Sequence, residues 1–149
     1  MSQPVAADGQ RPFRPRLARA VTLTIAVVVV ALTALLVAAL TRVPAGDRTG
    51  IALVGLAVAW FCSREAAVVA RPDDVGLTVR NLLVVRRLTW AQIVDVRFGE
   101  GRPWVQLDLD DGDTLAVMAI QRADGTTAQQ EARRLATLVA RHNATSQDD

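Results

Sequence analysis

The sequence predicts a membrane α-helical hairpin followed by a small α+β domain, an antiparallel sheet or open barrel capped by a C-terminal helix. Three observations carry this. Residues 20–41, AVTLTIAVVVVALTALLVAALT, run 22 positions without a charge. A second apolar run, TGIALVGLAVAWFCS, follows after a short turn. From Val68 onward the pattern changes to strand-like alternation and then, near the end of the chain, to a helical period.

The first run is long enough as a helix, at 1.5 Å per residue, to cross about 30 Å of hydrocarbon. Val27 to Val30 disfavour a helix in water, but in lipid every backbone group must be bonded within the segment, so helix is expected over strand. The alternative is a pair of buried core helices in a soluble protein; against it, a run with no polar face has nothing to turn toward water. Residues 42–48, RVPAGDR, read as a Pro- and Gly-containing turn too short for anything but an antiparallel neighbour. The second segment is assigned to residues 49–65. Its 15 uncharged positions at 49–63 would span only about 22 Å. Continuing the helix to about Val68, with Arg64 snorkelling to headgroups and Trp60 and Phe61 at the interface, makes up the shortfall. Gly50 and Gly55 would let a partner helix approach closely.

All 17 basic residues are arginine, the formal net charge is +2, and no basic block of five or more occurs, which argues against a nucleic-acid partner. The arginines suit membrane topology better. Arg11, Arg14, Arg16 and Arg19 precede the first segment with only Asp8 opposing them, and Arg64, Arg71, Arg80, Arg86 and Arg87 follow the second. Against a short loop holding Arg42, Asp47 and Arg48, the positive-inside rule puts both ends on the cytoplasmic side of the membrane that the hairpin crosses. A secretory signal is the rival reading, with Val43-Pro44-Ala45 as a loose cleavage site; the length of the apolar run, Arg42 beside the site and the second apolar segment oppose it. The lone Cys62 cannot close an intramolecular disulfide and reads as a small apolar side chain in a helix.

In the domain, GLTVRN and LLVVRR flank Asn81, which tolerates turn geometry, and read as an antiparallel pair. IVDVRF sets Val94, Val96 and Phe98 against Asp95 and Arg97, and WVQLDLD sets Val105, Leu107 and Leu109 against Gln106, Asp108 and Asp110. Gly99, Gly101 and Pro103 form the loop between them. Asp111-Gly112 suits a type I′ turn into the returning strand TLAVMAI. Thr127 with Gln130 can form a capping box, after which Ala128, Ala132, Leu135, Leu138 and Val139 make one apolar stripe. The expected organisation is a basic N-terminal tail at 1–19, the hairpin at 20–65, the domain at 66–142 and a disordered tail at 143–149.

Gly76-Leu77 through Arg80-Asn81, then Trp90, Ile93 and Val96-Arg97, then Gly101-Arg102-Pro103-Trp104 carry a resemblance over residues 66–142. This stretch resembles the small bacterial pleckstrin-homology (PH) domains of the low molecular weight protein antigen 6 type, whose members commonly carry two transmembrane helices ahead of the domain. The resemblance implies a PH-like fold tethered at a bacterial membrane and implies no reaction.

The search for chemistry agrees with that silence. His142 stands near the end of the last helix with no serine or cysteine motif pointing to it, and with Cys62 in a membrane helix a Cys/His zinc site has no ligand set. Phosphate-loop and dinucleotide fingerprints are missing. The cluster Asp108, Asp110, Asp111 and Asp113 resembles the start of a calcium loop, but Gly112 stands where a third ligand is needed and Ala119 where a closing glutamate is needed. No catalytic, cofactor or metal residues are therefore expected. Arg64, Arg71, Arg80, Arg86 and Arg87 are the candidate contacts to a membrane surface or to anionic lipids, with a solvated strand face as the plain alternative; Asp73 and Asp74 speak against selective headgroup recognition. Trp60, Trp90 and Trp104 are the candidate interface aromatics, with packing on the sheet expected first for Trp90 and Trp104. The sequence thus points to a non-enzymatic membrane-anchored binding or scaffold module facing an unnamed protein partner. An anionic-lipid sensor and an accessory subunit of a membrane enzyme are the alternatives, and homo-oligomerisation stays open.

Overall fold

The structure is a computed structural model that describes residues 10–99 and 101–145. In chain order the elements are α1 (Arg16–Ala39), α2 (Ala45–Ala66), β1 (Val69–Pro72), β2 (Gly76–Arg80), β3 (Val85–Thr89), β4 (Ile93–Arg97), β5 (Trp104–Leu109), β6 (Thr114–Gln121) and α3 (Thr126–Thr145). They fall into two compact units. One is Leu17–Ala67; the other joins the described part of Met1–Arg16 to that of Val68–Asp149.

The first unit is a helical hairpin whose two helices are long and apolar enough to cross a membrane. Both begin four residues earlier than the sequence pattern suggests, at Arg16 rather than 20 and at Ala45 rather than 49. The reason is local. Pro15 and Pro44, which cannot donate a helix hydrogen bond, stand just ahead of the first turns, and Asp47 favours the positive N-terminal end of α2. At 22 residues α2 reaches about 33 Å, so the expected shortfall disappears. Hydroxyls of Thr22 and Thr24 donate back to the carbonyls of Ala18 and Ala20 at 2.7 and 2.9 Å, which leaves them satisfied without water. A Cβ at Gly55 would collide with the Thr33 side chain on α1, so Gly55 sets the close approach of the helices; Gly50 has no such neighbour.

The second unit holds two antiparallel three-stranded sheets, β1-β2-β3 and β4-β5-β6, with α3 packed on them. Gly76 opens β2 opposite Thr89, where a Cβ would collide with the Leu88 carbonyl, so this position admits only glycine. A 3-10 turn at Trp90–Gln92 carries the chain between the sheets, closed by reciprocal bonds of Thr89 and Gln92. On β4 a bulge between Ile93 and Asp95 changes the expected alternation: Ile93 is buried, Val94 turns out to solvent, and Val96 and Phe98 pack against the core. On β5 the alternation holds, with Val105, Leu107 and Leu109 inside. The β5–β6 connection is longer than a two-residue turn. Leu109 accepts from Gly112 and donates to Asp113, at 3.0 and 2.9 Å, with Gly112 in the left-handed region. In α3 the buried residues are Ala128, Ala132, Leu135, Leu138 and Val139, the predicted stripe. The helix starts at Thr126, so Thr127 lies within its first turn rather than capping it, and it runs on through Asn143, whose amide donates to the Ile93 carbonyl at 3.2 Å. The remainder of the expected C-terminal tail, 146–149, lies outside the described residues, as do positions 1–9 of the N-terminal one.

Residues 10–16, expected in a basic tail, are part of the globular unit. Phe13 and Ala70 exchange both backbone hydrogen bonds, at 2.8 and 3.1 Å, and Phe13 is only 1% exposed. The Arg134 guanidinium lies 3.8 Å from the centre of the Phe13 ring and donates to the Arg11 carbonyl at 3.0 Å. Glu131 ties Arg11 and Arg134 together at 3.0 and 2.8 Å. At the end of the segment the Arg16 amide donates to the Asp124 carboxylate at 3.0 Å. The segment covers the outer edge of β1, whose backbone groups would otherwise lack partners on that side.

Candidate interaction surfaces

Strand register decides where the predicted arginines go. Arg71 pairs with Thr78 and Thr78 with Arg87, while in the neighbouring row Val69 pairs with Arg80 and Arg80 with Val85. Directly opposed residues of antiparallel strands project to one side, so Arg71, Arg80 and Arg87 share one exposed face of the first sheet. Arg86 sits opposite Val79 on the other face, 4.0 Å from the Asp113 carboxylate. Arg64 lies on α2, its guanidinium 5.9 Å from the centre of the Trp60 ring, and so belongs to the other unit. Within the sheet-bearing unit, therefore, Arg71, Arg80 and Arg87 share a surface and Arg86 does not join them.

Among the aromatics, Trp60 is exposed on α2 and Trp104 is half-buried at the start of β5. Trp90 is a core residue and is corrected as an interface candidate: it is 4% exposed and stacks on His142 with ring centres 4.5 Å apart. Its indole N–H donates to the Asp73 carbonyl at 3.0 Å, joining the β1–β2 turn to the middle of the fold. His142 Nδ1 lies 2.9 Å from the Leu138 carbonyl, which only accepts, so that nitrogen carries a proton. The one histidine is thus held in packing between α3 and Trp90.

Two further surfaces were not named from the sequence. The first is the β2–β3 turn at residues 81–84. The Asn81 amide donates to the Val84 carbonyl at 2.9 Å, and the Asn81 side chain reaches β6, donating to Ala116 at 2.7 Å and accepting from Met118 at 3.1 Å. On this fixed base Leu83, Val84 and Val85 project at 77%, 51% and 59% exposure. The signal was available: four apolar residues in a row, Leu82 to Val85, directly after a turn residue, where a half-buried strand would alternate. The second is a groove of about 640 Å³ between β4 and α3, lined by Val96, Phe98, Arg122, Gln129, Ala132 and Arg133. β4 is the outermost strand of its sheet, so its backbone edge borders this groove.

The acidic cluster is engaged in structure. Asp111 accepts from the Asp113 amide at 2.9 Å, and Asp108 pairs with Arg97. Among the described residues no group of three or more His, Cys, Asp or Glu side chains is arranged to hold a metal ion.

Two antiparallel sheets closed by a C-terminal helix, with glycine at position 76 and Trp90 at the corner between them, make up the frame of this unit. Residues 66–137 match the family model of the bacterial PH domain. The fold of this stretch is PH-like. Such PH domains are typically non-catalytic binding modules. An uncharacterized protein of Mycobacterium bovis and two of Mycobacterium tuberculosis strains are each 33% identical to this chain over 96 residues, covering 64% of it. The chain matches 62% of the length of those relatives. No solved structure matches the chain.

Proposed function

We propose that the protein is a membrane-anchored, non-enzymatic binding and scaffold module, its helical hairpin crossing the cytoplasmic membrane and its PH domain held at the inner face for a protein partner. The observation that carries this reading is the Phe13–Ala70 pair. A residue ahead of α1 and a residue after α2 share one folded unit, so a hairpin that crosses twice meets the requirement that both its ends emerge on the same side. Arginines at 11 and 14 before α1 and at 16 and 19 in its first turns, with those at 71, 80, 86 and 87 after α2, favour the cytoplasm for that side over the opposite end of the hairpin, which holds Arg42 in the connection and Asp47 and Arg48 in the first turn of α2.

For the partner, the groove beside β4 is the better-formed surface. The outer edge of β4, engaged at Ile93 by Asn143 and at Val96 by the Asp95 carboxylate, leaves its other backbone groups to a partner; Val96 and Phe98 offer apolar seats, and Arg122 and Arg133 are exposed beside them. These features suit an extended, acidic segment that adds to β4 as a further strand. The test of the anchored reading uses single cysteines at Gly46 and at exposed Gln130 in a Cys62→Ser background, treated in intact cells with a membrane-impermeant thiol reagent. Labelling at 46 and protection at 130 are expected; labelling at 130 would contradict the proposal.

A further inference from the structure

We infer that the β2–β3 turn is a membrane-inserting finger: Leu83, Val84 and Val85 enter the surface of an anionic bilayer, with Arg80 and Arg87 at the collar. The inference rests on the anchored reading above and adds to it a lipid-contacting site. Isolated exposed apolar side chains are ordinary, but three in sequence on a projecting turn mark a surface that is covered in use. The turn is also held rather than loose, because the Asn81 side chain is bonded at both ends to β6.

Register within the PH-like domain supplies the direction. Val69 pairs with Arg80, so the turn lies at the end of the first sheet where β1 begins, and β1 begins three positions after α2 ends at Ala66. Phe13 runs antiparallel to Ala70, so the chain passes from Phe13 toward Arg16, the start of α1, in the direction of that same end. Both chain connections to the helices and the apolar turn therefore leave the domain together. The β1–β2 turn, with Asp73 and Asp74, lies at the opposite end, away from the charge that would repel it. Arg71, Arg80 and Arg87 share the face leading to the turn, which complements an anionic surface. A protein could cover apolar residues too; the position beside the chain connections and the arginine collar favour lipid.

The test uses the full chain with Cys62→Ser and one new cysteine, Leu83→Cys or Val75→Cys, carrying an environment-sensitive fluorophore. Val75 is 73% exposed, as apolar as Leu83 in character, and sits in the β1–β2 turn at the far end, so it controls for exposure alone. In nanodiscs of equal parts phosphatidylglycerol and phosphatidylcholine, the probe at 83 is expected to emit to the blue of the probe at 75 and to be quenched by nitroxide-labelled lipids. Arg80→Gln and Arg87→Gln should each lower the inserted fraction about fivefold in these discs, and leave it unchanged in discs of phosphatidylcholine alone. A water-like, unquenched probe at 83 overturns the inference. So does a blue-shifted but unquenched one, which would mean that a second copy or a protein covers the turn. Thiol labelling at 46 and 130 reads the anchored topology separately, so a failure of the finger and a failure of the anchor are told apart.

Discussion

Two apolar sites on the PH-like domain stand among arginines and meet opposite fates. Phe13, between Arg11 and Arg14, is 1% exposed; Leu83, between Arg80 and Arg86, is 77% exposed. The difference lies in what the backbone nearby needs. Phe13 belongs to a segment that pairs with the open edge of β1, and the pairing carries its ring beneath Arg134. Leu83 stands where pairing ends, on a turn whose own backbone bond and Asn81 anchor are already made. Flanking charge therefore says which side of a membrane a segment prefers and little about whether its apolar residue is buried.

Substitutions along this comparison should differ sharply in cost. Phe13→Ala removes a fully buried ring and should destabilise the PH-like domain by about 3–5 kcal/mol, read from denaturant unfolding of the full chain in detergent micelles through tryptophan fluorescence. A loss under about 1 kcal/mol would mean that the N-terminal segment packs loosely. Next comes Asn81→Ala. It strands the Ala116 carbonyl and the Met118 amide and should cost about 1–3 kcal/mol, together with increased mobility of a spin label at position 83. Smallest is Leu83→Ser, which removes no packing within the domain and should change unfolding stability by no more than about 0.5 kcal/mol while weakening lipid contact. A large stability loss from Leu83→Ser would place that side chain in the core and reverse the comparison.

Much of the fold was legible because its signals are local. The stripe on α3 and the alternation on β5 follow from periodicity, and the turn at Asn81 from residue type. The bulge on β4 was not legible, since one extra residue leaves the composition of a strand unchanged while turning Val94 outward. The role of Phe13 was hidden more deeply: its partner Ala70 lies beyond both apolar helices in sequence, and four nearby arginines carry a sufficient explanation of their own as a topology signal. Of the candidate surface, residue types were readable but their grouping was not. Only register separates Arg71, Arg80 and Arg87 from Arg86, and only packing shows Trp90 to be buried on His142.

Whether residues on either side of the helical hairpin build one domain is read from amide hydrogen exchange of Phe13 and Ala70 in the chain with both helices present. Both amides are expected to be protected together, at the level of the β1–β2 pair, and Phe13→Ala to lower the protection of Ala70. Exchange of the Phe13 amide at the rate of an unstructured chain, with Ala70 protection unaltered by the substitution, would contradict a shared domain.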